Sequence, residues 1–288
     1  MEIIEDIAKM QAKAEELIIE KATRGFVPTM GALHEGHLSL ARRSVEENGV
    51  TIMSVFVNPA QFMPGEDYDS YPRTWDEDLH LAEEVGVDIV FHPTAGQMYP
   101  PRRQTTVQVH ELTKNLCGMS RGLGHFIGVT TVVAKLLNIV RPTTAYFGQK
   151  DAQQALVIQR MVIDLNFPVK ISVCPIVRED DGLALSSRNR NIPADLRPRA
   201  LALREGLSLG REMIRNRVYD AQSLFNAMCV HILRDDAIEL DYLHIVSPET
   251  LDDVDKVDDI VLIAGAIKIG GVRLIDNILV GPGGPWED

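Results

Sequence analysis

The distribution of apolar positions predicts that strands and helices alternate through the first part of the chain. Residues 50–57 (VTIMSVFV) are continuously apolar and rich in β-branched side chains, which is typical of a strand buried on both faces of a parallel sheet. The same criteria predict a surface helix within 1–25, a strand at 26–30 and a helix opened by residues 34–37. Further helices are predicted over 75–85, 128–140 and 151–165, and further strands over 87–91, 107–109, 145–147 and 169–177. This alternation predicts an α/β fold built on a parallel sheet.

The pattern changes after a polar segment at residues 178–191 (REDDGLALSSRNRN). Helices are predicted over 193–215 and 221–233, and three strands follow over 238–246, 260–267 and 272–278. This is an α+β pattern, separate from the first. We therefore expect a larger domain at residues 1–177 and a smaller one at 178–288.

Composition narrows the functional classes. The formal net charge is −12 over 288 residues, which argues against general binding to nucleic acid or to anionic membranes, so any phosphate site must be a local cationic pocket. The longest strongly apolar run, at 260–267, is too short to cross a bilayer, and the N-terminus lacks the pattern of a secretory signal. The three cysteines are odd in number and far apart, which favours the reducing cytoplasm over a disulfide framework or a zinc cluster.

The first candidate site is His34-Glu35-Gly36-His37, which follows a predicted strand and opens a helix. The first N–H groups of a helix lack intrahelical partners and its macrodipole is positive there, so the place suits an anion. His34 and His37 share a helix face, and Gly36 between them lets a ligand approach the backbone. This pattern predicts a phosphate-binding site, although two histidines could also bind zinc or be ordinary helix-terminal residues.

A second unit of strand, loop and helix carries Gly148-Gln149-Lys150, with Asp151 as the expected helix cap. Loops that follow parallel strands open at the same edge of a sheet, so Lys150 could meet a ligand held by the two histidines. Asn58 and Gln61 follow the strand at 50–57 and are candidate substrate-binding residues for the same reason. The alternatives are a solvated lysine and ordinary Asn-Pro turn chemistry.

Two further stretches carry candidate chemistry. Residues 178–191 hold consecutive serines and Arg188, which are donors suited to phosphate oxygens, although a charged interdomain linker would look similar. Residues 118–122 match the G-x-S-x-G motif of serine hydrolases. That motif needs a buried strand directly before the serine, and residues 111–116 make a poor strand, so the hydrolase interpretation is disfavoured.

Taken together, PTMGALHEGHLSL, FVNPAQF, YPRT, FGQKDAQQ, DGLALSSRN and RLIDNI resemble the pantothenate synthetase family in order and spacing, from about residue 24 to about residue 280. The H-x-G-H motif itself resembles that of the nucleotidylyltransferase superfamily. The resemblance implies a Rossmann-like N-terminal domain and a smaller C-terminal lid or dimer-associated domain in a cytoplasmic homodimer. It also implies that pantothenate is made from ATP, pantoate and β-alanine, with Mg²⁺, through a pantoyl adenylate.

The resemblance also implies roles for single residues. His37 is the implied proton donor beside His34, Lys150 belongs with them, Gln61 binds pantoate and β-alanine, and Gln154 binds pantoate. The implied ATP-binding residues are Met30, Gly31, Ala32, Leu33, His34, Glu35, Gly36, His37, Gly148, Gln149, Lys150, Asp151, Val177, Leu185, Ser186, Ser187 and Arg188.

The chain departs from the family pattern at residues 120–126, which read S-R-G-L-G-H-F instead of S-R-P-G-H-F, so the role of Arg121 is open. The magnesium ligands are also open: Asp76, Asp78 and Asp151 are candidates, or ATP itself holds the metal. Two rival functions stand beside the ligase. Another H-x-G-H adenylyltransferase would accept a phosphate and need more Lys or Arg, and a nucleotide-sensing module would bind ATP without chemistry.

Overall fold

The computed structural model of the chain describes residues 1–63 and 68–282, apart from the side chains of Ser120, Arg121 and Leu123. Arg121, whose role the sequence leaves open, therefore has no described side chain. The chain divides into two compact units, Met1–Cys174 and Pro175–Asp288. The boundary between the units follows Cys174, whereas the predicted domain boundary follows residue 177.

The first unit is a six-stranded parallel sheet with helices on both faces, which confirms the expected Rossmann-like α/β fold. Its strands are β1 (Glu2–Ile4), β2 (Arg24–Thr29), β3 (Val50–Val55), β4 (Ile89–Phe91), β5 (Thr144–Gly148) and β6 (Lys170–Cys174), in the spatial order β1-β4-β3-β2-β5-β6. Its helices are α1 (Ile7–Ile19), α2 (Glu35–Glu47), α3 (Trp75–Glu84), α4 (Ala95–Met98), α5 (Cys117–Arg121), α6 (Leu123–Val140) and α7 (Ala152–Asp164).

The continuous apolar run in β3 is explained by burial of both faces of the sheet. Phe26 and Ile52 pack with residues of α1, α6 and α7, whereas their chain neighbours Val27 and Met53 pack on the other face with residues of α2 and α3. Because successive side chains of a strand point to opposite faces, neither face can be polar. The apolar run therefore predicts a central strand, and β3 is one.

The strand order reverses between β2 and β5. From β2 the chain proceeds to β3 and β4 on one side, whereas β5 and β6 lie on the other side of β2. Open α/β sheets bind ligands at such a reversal, in the crevice outside the carboxyl ends of the strands. The loops after β2 and β5, which carry the candidate histidines and Lys150, both begin at this reversal.

Two predictions about the first unit are wrong in detail. The expected strand at 107–109 does not form, because the hydroxyls of Thr130 and Thr131 on α6 bond the carbonyl and the N–H of Val107 at 2.6 and 3.0 Å. The N-terminal segment is not only a helix, because β1 precedes α1 and pairs in parallel with β4. Three residues are too few to show a periodicity, so only the sheet reveals that strand.

The second unit has the predicted α+β composition. A 3-10 turn (Arg197–Leu201) leads into α8 (Ala202–Arg215) and α9 (Ala221–Ile232). The strands β7 (Ile238–Val246), β8 (Val261–Ile269) and β9 (Val272–Val280) form an antiparallel sheet in that order. Its core consists of apolar residues from both helices and all three strands.

Candidate active site

The loop after β2 has an unusual backbone that one acidic residue of α3 holds in place. Gly31 and Ala32 have positive φ angles of 82° and 50°. The buried carboxylate of Asp78 accepts hydrogen bonds from the N–H of Ala32 (3.0 Å) and from that of Leu33 (2.7 Å). A Cβ at position 31 would lie 2.8 Å from the same carboxylate, so both the conformation and the space require glycine there.

His34 caps α2. Its backbone is extended, and its Nδ1 accepts a hydrogen bond from the N–H of Gly36 at 3.2 Å. Because Nδ1 is the acceptor, the proton of the neutral ring lies on Nε2. The rings of His34 and His37 lie 4.1 Å apart between centroids, so the structure brings the two candidate histidines together.

The structure differs from the expectation that backbone N–H groups at this helix start await an anion. The N–H groups of residues 31–33 donate to Thr29 and Asp78, and those of residues 36 and 37 donate to His34. These donors are already used inside the protein. A ligand could bind these five N–H groups only if those hydrogen bonds were given up.

His37 is held in its neutral form. Its pKa is lowered from 6.5 to about 3, chiefly by burial and also by the neighbouring His34 and Lys150, against an opposing effect of Asp151. Its Nδ1 is buried and has no hydrogen-bond partner among the residues that the structure describes. The charges of Lys150 and Asp151 therefore act at His37, so the loops after β2 and β5 share one electrostatic environment.

The lowered pKa of His37 predicts a pH-dependent loss of stability. Above pH 6.5 the ring is neutral in both the folded and the unfolded chain; below it only the unfolded chain takes up the proton, until the pH reaches about 3. At pH 5 the free energy of unfolding should have fallen by on the order of 2 kcal/mol through this residue, since one pKa unit is worth about 1.4 kcal/mol. Urea unfolding at pH 7.5 and pH 5 should show this extra loss in the parent chain and not in His37→Gln.

The same substitution at His80, an exposed residue of α3, is the matched control for that measurement. His80→Gln should follow the parent chain at both pH values. An identical pH dependence in the parent and in His37→Gln would show that His37 titrates normally.

Asp151 is in the predicted place but not in the predicted role. It stands before α7, yet its side chain makes no capping hydrogen bond. Its carboxylate lies 3.8 Å from the Lys150 Nζ instead. This ion pair partly neutralises Lys150 at the start of α7.

Asn58 supports Gln61 within the loop after β3. Its side chain is 1% exposed, and all four hydrogen-bonding positions are used. The Oδ1 accepts from the Tyr99 hydroxyl (2.5 Å) and the Ala60 N–H (3.2 Å), and the Nδ2 donates to the Gln61 Oε1 (2.9 Å) and the Gly128 carbonyl (3.2 Å). These bonds include the cap of the turn at Pro59–Gln61, as the alternative of Asn-Pro turn chemistry expects, and a contact of Asn58 with substrate stays a prediction.

Gln61 links this loop to the one after β2. Its Nε2 donates to the Met30 Sδ at 3.3 Å, and its backbone carbonyl contacts the His125 Nδ1 at 2.8 Å. The backbone of α6 also approaches the turn at Pro59–Gln61 so closely at Gly128 that any Cβ would overlap the Ala60 carbonyl. Gln61 is therefore half-buried, and its amide lies next to Met30, one of the predicted ATP-binding residues.

The other predicted site residues are placed as follows. Gln154 lies half-buried in the first turn of α7, and the exposed Glu35 forms an ion pair with Arg42 on α2. In the second unit, Val177 and Leu185 are paired by a hydrogen bond of 2.9 Å. Ser186 begins the 3-10 turn at Ser187–Asn191, where its hydroxyl accepts from the Arg188 N–H at 3.3 Å.

Three residues have supporting roles that the sequence did not predict: Asp78, Tyr99 and His125. Asp78 was a candidate only for binding magnesium, and acids at the start of a helix such as α3 favour the helix dipole without any tertiary role. Burial raises the pKa of Tyr99 to about 12, so its hydroxyl remains a donor to Asn58. The G-H-F part of the family motif at 124–126 is the one sequence signal that could have pointed to His125.

The side chains do not fit a magnesium site built by the protein. In residues 1–63 and 68–282, no group of three or more His, Cys, Asp or Glu side chains could hold a metal ion. Of the candidate ligands, Asp78 uses both oxygens for hydrogen bonds, Asp151 pairs with Lys150, and Asp76 is an exposed residue of α3. A metal that accompanies a triphosphate would be held chiefly by phosphate oxygens.

The serine hydrolase alternative lacks its structural context. Residues 118–122 lie in and directly after α5, and no strand leads into them. The side chain of Ser120 falls outside the described residues. Among the described helices, none has the length and apolar character needed to cross a bilayer.

Comparison with known proteins covers almost the whole chain. The model of the pantoate-beta-alanine ligase family matches residues 2–279. The pantothenate synthetase of Thermotoga petrophila is 51% identical over 281 residues, which span 98% of this chain and 100% of that protein. The pantothenate synthetase of Thermotoga neapolitana is 52% identical over 281 residues, which again span 98% of this chain and 100% of that protein.

Solved structures agree with these sequence matches. Pantothenate synthetase of Thermus thermophilus superimposes with a TM-score of 0.91 at 43% identity, covering 98% of this chain and 100% of that one. Pantoate-beta-alanine ligase of Francisella tularensis, solved in complex with βγ-ATP and β-alanine, gives a TM-score of 0.78 at 35% identity over 98% and 100% of the two chains.

Proposed function

The chain belongs to the pantoate-beta-alanine ligase family and is a ligase, and from that premise we propose that it joins pantoate to β-alanine through a pantoyl adenylate. The observation that carries the proposal is the arrangement at the strand-order reversal. There the rings of His34 and His37 lie side by side after β2, and Lys150 and Asp151 after β5 shift the pKa of His37. The proposed products are pantothenate, AMP and pyrophosphate.

The proposed reaction has two steps. In the first, a carboxylate oxygen of pantoate attacks the α-phosphorus of ATP, the bond from that phosphorus to the bridging oxygen breaks, and pyrophosphate leaves. In the second, the β-alanine amine attacks the acyl carbon, AMP leaves, and the nitrogen loses a proton. No covalent enzyme nucleophile is needed, so the protein's task is to position the reactants and to stabilise charge on phosphoryl oxygens.

The side chains of the first unit offer suitable donors for that charge. We propose that His34 donates from Nε2 to a phosphate oxygen, because its Nδ1 is already bonded to Gly36. His37 is neutral in the ligand-free protein, and the negative charge of a bound triphosphate would raise its pKa. That change would let His37 give a proton or a stronger hydrogen bond to the phosphoryl group, which is the role that the resemblance implies. Lys150 would add a positive charge beside them.

The acceptor pocket is proposed to contain glutamines. Gln61 and Gln154 can hydrogen-bond the carboxylate or hydroxyl of pantoate without pairing with its charge, which would leave the attacking oxygen nucleophilic. An adenylyltransferase that accepts a phosphate would need extra lysine or arginine at these positions. The orientation of the Gln61 amide by Asn58 supports the carboxylic acid as acceptor.

Several finer features remain proposals from the resemblance. Val177 and Leu185–Arg188 are proposed to contact ATP, and Mg²⁺ is proposed to arrive bound to ATP. The protein is proposed to be a cytoplasmic homodimer. The odd number and wide spacing of the three cysteines support a reducing compartment. Light scattering on the purified chain would test the dimer.

Isotope exchange tests the stepwise reaction. With ATP and pantoate alone, labelled pyrophosphate should exchange into ATP, because the first step is reversible and does not involve β-alanine. The measurement is the rate of label transfer with each substrate omitted in turn. An absolute need for β-alanine would reject the adenylate intermediate, whereas ATP binding without any pyrophosphate chemistry would indicate a nucleotide-sensing module.

A further inference from the structure

The turn at residues 31–33 is conformationally expensive. Ala32 has a φ of 50°, in the left-handed region where a side chain costs about 1–2 kcal/mol. The turn is also where β2 ends and the α2 cap His34 begins, so its shape decides the direction in which both histidines leave the sheet. A strained segment at a ligand site persists only where the surrounding structure holds it.

Asp78 holds two of the three residues of this turn, Ala32 and Leu33, whereas Gly31 donates to the Thr29 hydroxyl. Asp78 is 2% exposed. Its Oδ1 accepts from the Leu33 N–H and from the Thr74 hydroxyl at 2.7 and 3.1 Å, and its Oδ2 accepts from the Ala32 N–H at 3.0 Å. A buried carboxylate is costly, and hydrogen bonds to the charged form are what offset that cost.

The position of Asp78 on α3 further stabilises its buried carboxylate. The residue lies in the first turn of that helix, where the positive end of the macrodipole favours a negative charge. The helix start and the two N–H groups of the turn thus share one carboxylate. This contact fixes α3 to the loop after β2 across 45 and 46 residues of chain.

We propose that Asp78 is a positioning residue for adenylate formation: it holds the strained turn at 31–33 and thereby sets His34 and His37 against the triphosphate. The inference rests on the proposed function for its kinetic consequence. It also makes a structural claim, the placement of the two rings, that does not depend on any activity.

The test compares Asp78→Asn with Asp76→Asn. Asparagine keeps the size of the side chain but turns an NH₂ group toward one of the two N–H donors, so one bond becomes a repulsion. Asp76→Asn makes the same charge change at an exposed position in the same helical turn. We expect Asp78→Asn to slow single-turnover pyrophosphate release by on the order of 10- to 100-fold, as for a displaced catalytic group, and Asp76→Asn by less than about twofold.

The second step separates positioning from general damage. Each variant is loaded to completion with ATP and pantoate, and AMP release is then followed after rapid mixing with β-alanine. We expect that rate to change by less than about threefold in Asp78→Asn, because the turn acts through the phosphate-binding histidines. Equal losses in both steps, or a first step as fast as in Asp76→Asn, would overturn the inference.

The ring signals of His34 and His37 in NMR spectra give a readout without any activity. They should shift in Asp78→Asn and stay in place in Asp76→Asn; unmoved rings would overturn the inference whatever the assays show.

Should Asp78→Asn fail to fold, Thr74→Val removes one hydrogen bond to the Asp78 carboxylate and keeps its charge. It should slow the first step severalfold and spare the second, and an unchanged first step in that variant would again overturn the inference. Failure of the proposed function is seen separately, as absence of pyrophosphate release in the parent chain.

Discussion

Replacing His37 with alanine is expected to slow adenylate formation by on the order of 10²–10³, the usual loss when one transition-state donor is removed. The physical reason is that the ring lies beside His34 and within the influence of the Lys150 and Asp151 charges, so it could donate to the charge that develops on the phosphoryl group. The measurement is single-turnover pyrophosphate release with ATP and pantoate. Because the donor acts chiefly in the transition state, the KM for ATP should change much less than kcat.

His80→Ala removes an exposed imidazole from α3 and is the matched control. It should leave the rate within about twofold of the parent chain. A His37→Ala rate within a few-fold of the parent would remove His37 from the reaction, provided that thermal unfolding shows the variant to be folded. A proportional rise in KM with kcat unchanged would assign it to ATP binding alone.

The fold was predictable because its main signals are local. The apolar run of β3, the helical spacing of α2 and the three strands of the second unit all follow from side-chain periodicity. The alternation of strands and helices then predicts a parallel sheet, in which the loops after β2 and β5 lie at the same edge. For this reason the sequence alone predicts that Lys150 could lie near the two histidines. The sequence missed β1 and wrongly predicted a strand at 107–109, because a three-residue segment is too short to show a periodicity.

The supports of the site could not be predicted, because each depends on a contact between distant parts of the chain. Asp78 reaches the loop after β2 from 46 residues away, and Tyr99 reaches Asn58 from 41 residues away. In the sequence, Asp78 is one of three candidate magnesium ligands, and Asn58 is either a substrate ligand or an ordinary Asn-Pro turn residue. The structure shows both side chains buried and hydrogen-bonded within the protein, and such burial and bonding are tertiary properties.

The same reasoning changes the view of the H-x-G-H motif. A helix start suggests free N–H donors, but Asp78 and His34 occupy most of those in this loop. The positive charge for a triphosphate must then come from side chains. In the first unit Lys150 can supply such a charge, because its ammonium group lowers the pKa of His37.

Lys150→Ala is therefore expected to slow adenylate formation by on the order of 10²–10³, since it removes a cation whose charge acts at His37. The same change should raise the pKa of His37, because the Lys150 ammonium lowers it and Asp151, which raises it, would remain. Single-turnover pyrophosphate release measures the first effect. Titration of the His37 ring by NMR measures the second in the absence of substrates.

The two readouts together separate a direct role of Lys150 from an indirect one. Lys9→Ala, at an exposed position of α1, is the matched control and should change neither. If the pKa of His37 rises and the rate is unchanged within a few-fold, Lys150 tunes the histidine without touching the phosphate. If the rate falls and added methylamine restores part of it, the ammonium acts on the reacting group itself, because a small amine can replace the charge in the space left by the side chain.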